Sequence, residues 1–282
     1  MPVFWNLVAI ELEKTVRRPL FLFFLGLLVG LLLFIFLGGL FTFELVTTPE
    51  SKAFFKEVLA GTAGGELALS LVLNLGGFSL LILTAAIATS EYQWRVLHLY
   101  LSHGVGRTIL LFAKLTALAA IAVLFVLVAL VLGLVLGLPL VIPMGGEVTM
   151  AGIGGVFWQA PRVFLAMLPF IAIAFPIAVL TRSIAATNTI TLLYVFIVEP
   201  VLTTAGNFSG EPFSELTRYL PFQLTQALVR KLPSPSEIPE GMEEAFRKAF
   251  FDPSLAAFCI TVWLILLTIA AWLIFRQQDL AS

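Results

Sequence analysis

Six long apolar runs restrict what this chain can become. They lie at about Leu20–Phe41, Leu67–Thr89, Ile109–Leu140, Phe157–Leu180, Ile184–Thr204 and Ser254–Phe275. Each is about 20 residues or longer, the length an α-helix needs to cross roughly 30 Å of hydrocarbon. Only 12% of the 282 residues are charged, about half the share found in a water-soluble domain. A bilayer offers the backbone no water, so each span must satisfy its own amides and carbonyls as a helix. The sequence therefore predicts an all-α polytopic membrane protein, with residues 1–282 as a single transmembrane domain.

An even number of spans places both termini on one side. With the termini inside, the inner segments hold Lys14, Arg17, Arg18, Arg95, Arg107, Lys114, Arg182 and Arg276. The outer ones hold Lys52, Lys56, Arg162, Arg218, Arg230, Lys231, Arg247 and Lys248, an equal number. Charges far from span ends weigh little, and the outer stretch at 205–253 is long enough to be a small folded region. The first span then decides. Lys14, Arg17 and Arg18 precede it closely, while Glu44 and Glu50 follow it. Both termini are expected to be cytoplasmic, in a plasma (inner) membrane. The mixed-charge leader and the length of the first run argue against a cleaved signal sequence.

Several chemistries lack their residues. The net charge of −1 gives no basis for nucleic-acid binding, and the single cysteine, Cys259, rules out an intrachain disulfide or a cysteine-based metal cluster. No Gly-Lys pair occurs, so the phosphate-binding loop of an ATPase is missing. His98 and His103 are five apart and fall on different faces of a helix, so no metal site is expected. No catalytic residue is assigned to the chain, and no cofactor.

Residues 1–19 read as a helix lying flat at the interface, or as a plain charged anchor, with Phe4, Trp5, Val8, Leu12 and Val16 on one face and Asn6, Glu13, Lys14, Arg17 and Arg18 elsewhere, Leu7 and Ile10 being apolar exceptions among the latter. In the outer stretch, a short helix should start at Pro221. A second over "GMEEAFRKAF" would carry Met242, Phe246 and Phe250 on one face, after the linker Pro233–Pro239. These form either a lid over an exit path or a passive cap. Gly26 with Gly30, and Gly133 with Gly137, are small-residue pairs four apart that would let helices approach closely. Arg162 and Glu199 fall at similar depths in the fourth and fifth runs, whose connection at Thr181–Ser183 is very short. Either they form an intramembrane ion pair, or both spans end sooner and each charge meets headgroups.

The stretch "SEYQWRVLHLYLSHGVGR" (Ser90–Arg107) breaks the apolar pattern between the second and third spans. As a helix it places Trp94, Leu97, His98 and Leu101 on one face and Val96, Tyr100 and His103 opposite, with Gly104 able to end it. Glu91, Leu97, Leu99, Leu101, Ser102, Val105, Arg107 and Lys114 stand where the permease subunits of type-2 ATP-binding-cassette transporters carry their loop signature, and the chain resembles that family. Arg95 and Val96 replace its usual Gly-Thr, and Gly104 its usual Pro. The ending "FRQQDL" (Phe275–Leu280), the flat N-terminal helix and the outer helices between spans five and six agree.

The resemblance implies that residues 90–107 form a cytoplasmic coupling helix docking on a separate ATPase. Glu91, Trp94, Leu97, His98, Tyr100, Leu101 and Arg107 would form the contact, and the ATP and Mg would sit on that partner. It also implies pairing with a second permease copy or a homologous permease, and export of a lipid, amphipathic, drug-like or peptide-like substrate. Two other functions fit the residues: a permease-like sensor or membrane anchor that moves nothing, and a membrane enzyme acting on lipids.

Overall fold

The computed structural model describes residues 2–93, 106–145, 148–210, 213–230 and 251–277. Its described elements are helices. They are α1 (Pro2–Val16), α2 (Pro19–Leu45), α3 (Pro49–Leu59), α4 (Thr62–Leu71), a wide π-turn (Val72–Gly76), α5 (Gly77–Gln93) and α6 (Arg107–Gly137). There follow α7 (Val141–Met144), α8 (Met150–Thr181), α9 (Ile184–Leu193), a second π-turn (Tyr194–Val198), α10 (Glu199–Ser209), α11 (Phe213–Thr217), α12 (Pro221–Val229) and α13 (Pro253–Gln277).

Six stretches are long and apolar enough to cross a membrane: Pro19–Leu45, Thr62–Ser90, Arg107–Gly137, Met150–Thr181, Ile184–Gly206 and Pro253–Gln277. The chain is thus an all-α, multi-pass membrane protein. The fourth span begins at Met150, seven residues before the apolar run, because "MAGIGGV" carries no charge or proline to stop a helix. α12 starts at Pro221 as expected, proline being tolerated where a helix has no amide to satisfy. Trp94–Val105 and residues 231–250 lie outside the described residues. With them fall the proposed coupling residues Trp94, Leu97, His98, Tyr100 and Leu101, the side chain of Glu91, and the expected second outer helix.

The chain forms two compact units, Met1–Leu83 with Ala113–Phe164, and Thr84–Phe112 with Leu165–Ser282. The boundaries cut helices rather than linkers.

In the first unit α2 buries a stripe of Phe21, Leu28, Leu32, Phe36, Gly39 and Phe43 and turns Phe23, Phe34 and Leu37 outward. Phe21 stacks on Phe125 of α6 at 6.0 Å. The close approach in this unit is made by α4 and α6. The Gly61 amide donates to the Gly137 carbonyl at 2.8 Å. A Cβ on Gly133 would stand 2.6 Å from that of Ala68, and one on Gly137 would stand 2.7 Å from the Gly61 carbonyl oxygen. Gly133 and Gly137 are therefore packing positions. Gly26 and Gly30 are not, within this chain: both are exposed, and a Cβ on either would meet nothing within 4 Å. Four-residue spacing alone does not say which side of a helix faces a neighbour.

In the second unit, the turn at Arg182 (φ 54°) joins α8 to α9. The Ser183 hydroxyl caps α9, and the Thr181 and Thr187 hydroxyls meet at 2.8 Å. α12 lies against α13. The Trp263 indole donates to the Tyr219 carbonyl at 2.9 Å.

Gly137→Ala must push backbone apart and should destabilise the protein by roughly 1–3 kcal/mol. Gly26→Ala meets open space and removes a helix penalty of about 1 kcal/mol, so its stability should be unchanged or slightly raised. Thermal unfolding of the two purified variants in one detergent checks the contrast.

Candidate functional site

α1 leaves much of its expected interface face uncovered and packs a different stripe inward. Leu7, Val8, Glu11 and Thr15 face inward, while Trp5 is 62% and Val16 41% exposed and Phe4 and Leu12 are half-buried. Val8 is shared between the expected face and the observed one. The buried stripe carries a charge, Glu11, which has a partner inside. Its Oε2 accepts from Lys114 Nζ of α6 at 3.2 Å, and its Oε1 from Lys14 Nζ at 2.9 Å. Both carboxylate oxygens are thus engaged. Glu11 is 3% and Lys114 5% exposed, so this is a buried ion pair between residues 103 apart in sequence. Burial by itself would raise the Glu11 carboxyl, but Lys114 and Lys14 outweigh it and hold the group below its ordinary value.

Lys114 lies seven residues into α6, about 10 Å along it at 1.5 Å per residue. The segment preceding α6 is the proposed coupling segment, so Glu11 fastens the N-terminal helix to the helix that this segment enters. In the second unit, Arg107 at the first turn of α6 donates to the Arg276 carbonyl at 3.2 Å. Trp272 Nε1 donates to Thr108 Oγ1 at 3.1 Å, and the Arg276 guanidinium sits 5.4 Å from the Trp272 ring. The start of α6 is thereby tied to the end of α13. Of the proposed contact residues, Arg107 is the one whose side chain the structure describes.

Glu199 is also placed differently from expectation. It is 1% exposed and belongs to the second unit, where its Oε1 accepts from the amides of Phe222 and Gln223 at 2.8 and 3.0 Å. Tyr194 lies beside the same carboxylate. The described hydrogen-bond donors to this carboxylate oxygen lie at the start of α12. Arg162 stands exposed in the first unit.

The second span carries a further polar feature. Ser70 and Asn74 are its only exposed described residues, in line with half-buried Glu66 and Phe78 at four-residue steps. Asn74 lies within the first π-turn, about 18 Å from the start of α4, near the middle of the span. Its Nδ2 donates to the Ser70 carbonyl at 2.9 Å.

Sequence reasoning missed Glu11 as a buried group and missed this stripe. Lys114 gave a usable signal for the first. It is the one charge in the Ile109–Leu140 run, and a charge within a span calls for a partner. Among the described residues no group of three or more His, Cys, Asp or Glu could hold a metal ion.

Residues 53–281 match the sequence profile of a family described as "Protein of unknown function (DUF2705)", and the chain belongs to that family. No curated protein matches the chain.

Glu11→Leu leaves Lys114 buried without its carboxylate and should cost on the order of 3–5 kcal/mol. Lys114→Met should cost less, because Lys14 still holds Oε1, and the double variant should be more stable than Glu11→Leu. A double-mutant cycle on unfolding midpoints reads this. The depressed folded value of Glu11 also fixes a sign. Its contribution is present above the ordinary carboxylate range and is lost as pH falls through the depressed value. The acid-side loss should shrink in Glu11→Gln.

Proposed function

We propose that this member of the DUF2705 family is the membrane-spanning permease subunit of an ATP-binding-cassette exporter, driven by a separate cytoplasmic ATPase. The observation that carries the reading is the buried Glu11–Lys114 pair, which joins the N-terminal helix to the helix entered from the segment bearing the family's coupling signature. A push on that segment would reach α1 and α6 together, because breaking a buried pair costs several kcal/mol. In this reading ATP and Mg sit on the partner, the chain pairs with a second permease copy, and both termini are cytoplasmic.

The second span favours a conduit over a mere anchor or sensor. A helix facing lipid exposes apolar groups, as α2 does with Phe23, Phe34 and Leu37. The second span instead exposes Ser70 and Asn74 near its middle. Polar side chains at that depth face water or a polar partner. A hydrogen-bonding surface there suits an amphipathic substrate, such as a lipid with a polar headgroup, a drug or a short peptide.

Leu97→Asp or Leu101→Asp would place a charge in the apolar part of the proposed ATPase contact. Each variant should insert normally but lose the ATPase in co-purification. Unchanged ATPase recovery with both variants overturns the docking assignment. Turnover of a lipid by the purified chain without ATP would support an enzyme instead. An ATPase partner that drives no substrate movement in proteoliposomes would support the sensor.

A further inference from the structure

We propose that Glu199 is a proton-binding site within the fifth span, and that its charge state decides whether the start of α12 stays docked there. This inference goes beyond the transport reading and does not depend on an ATPase partner.

The geometry is asymmetric. Glu199 Oε1 accepts from the Phe222 and Gln223 amides at 2.8 and 3.0 Å. These amides belong to the first turn of α12, where a helix leaves its donors without intrahelical partners. Leu220, at the N-cap, offers no side-chain cap, so a carboxylate from another helix takes that role. Oε2, in contrast, is buried and has no hydrogen-bond partner.

The ionised carboxylate is favoured by the amides and by the positive end of the α12 dipole. Among the described residues of its own unit, the ionisable groups on the elements around it give it no cation of its own. Tyr194 lies on the same span, and α12 carries no ionisable side chain. Glu215 on α11 is exposed, as are Arg218 and Tyr219 in the link to α12. α13 brings Cys259 and, at its far end, Arg276. Within α8, Phe170 packs on Phe222 with ring centroids 4.5 Å apart, and the ionisable group of that helix is Arg162, exposed in the first unit.

A proton arriving from the aqueous phase adds to the unbonded Oε2 and forms a carboxylic acid. The negative charge is lost, Oε1 becomes a neutral carbonyl, and its two bonds lose their charge assistance. The α12 start then loses its counter-charge, while the contacts of Phe222 with Phe170 and Tyr194 remain. The consequence is a loosened N-terminal end, not a detached helix. The hinge on the other side is already soft: the π-turn Tyr194–Val198 precedes Glu199, and Pro200 removes an amide.

The test uses the full chain in lipid nanodiscs, with Cys259→Ser and spin labels on cysteines at the exposed Val201 and Gln226. Their distance distribution should be narrow at mildly alkaline pH and should broaden or shift at mildly acidic pH. Glu199→Gln should show the acidic-side distribution at every pH, and Glu199→Asp should keep a pH response. A pH-difference infrared spectrum of the unlabelled protein should show a protonated carboxyl band on acidification that Glu199→Gln removes. Should Glu199→Gln fail to fold, Glu199→Asp decides, by shifting that band or leaving it unmoved. An unmoved or absent band overturns the proton site. A Glu199 band with an unchanged label distance overturns the latch.

Discussion

No water is available in the hydrocarbon core of a bilayer, and every polar group of this chain within that core must be satisfied by the chain, a partner or a water-filled path. The backbone meets the demand by forming helices. Small hydroxyls meet it locally: Thr89 and Thr191 each donate to the carbonyl four residues back, at 2.7 Å. Charges cannot be satisfied that way. Lys114 is met by Glu11 from the N-terminal helix, and Glu199 is met by the first turn of α12. In both cases the charge recruits an element from outside the spans, which fixes where α1 and α12 lie.

Holding spans together is a separate problem, because lipid is as apolar as leucine and gives no hydrophobic drive for helices to associate. The first unit solves it by removing side chains. Where α4 meets α6, glycines bring the backbones close enough for the Gly61 amide to reach the Gly137 carbonyl. Each atom added there displaces backbone, so this contact sets the spacing on which the α2 stripe and the Phe21–Phe125 stack also depend.

All six spans were legible in the sequence because length and apolarity are properties of a segment alone. The start of α12 was legible too, through Pro221. Direction was not legible. Glycine spacing picked out both Gly133 and Gly137, which meet the Gly61–Ala68 stretch, and Gly26 and Gly30, which meet nothing within 4 Å in this chain, since a pair four apart looks alike on either side of a helix. Ranking the faces of α1 by hydrophobicity marked an interface side with Trp5 and Val16 and said nothing of the side turned to the protein. That side is set by a lysine 103 residues away. Depth offered Glu199 either Arg162 or the headgroups, because depth counts only residues on spans. The amides of a short helix between spans five and six carry no signal in a side-chain pattern, yet they can stabilise an anion as a cation does.

The two buried carboxylates differ in a way that separates a strut from a switch. Glu11 places an ammonium group on each oxygen, so protonation would have to displace a full positive charge on either side, and the group is held below its ordinary value. In the proposed ATPase coupling it transmits force without changing state. Glu199 has neutral amides on one oxygen, Tyr194 beside the carboxylate, and no hydrogen bond to the other oxygen among the described residues. Proton uptake there breaks no existing bond at the receiving atom, and it weakens the bonds at the other. Of the two, only the second arrangement changes what it holds when a proton arrives. Its place on a span next to a π-turn and a proline gives that change something able to move.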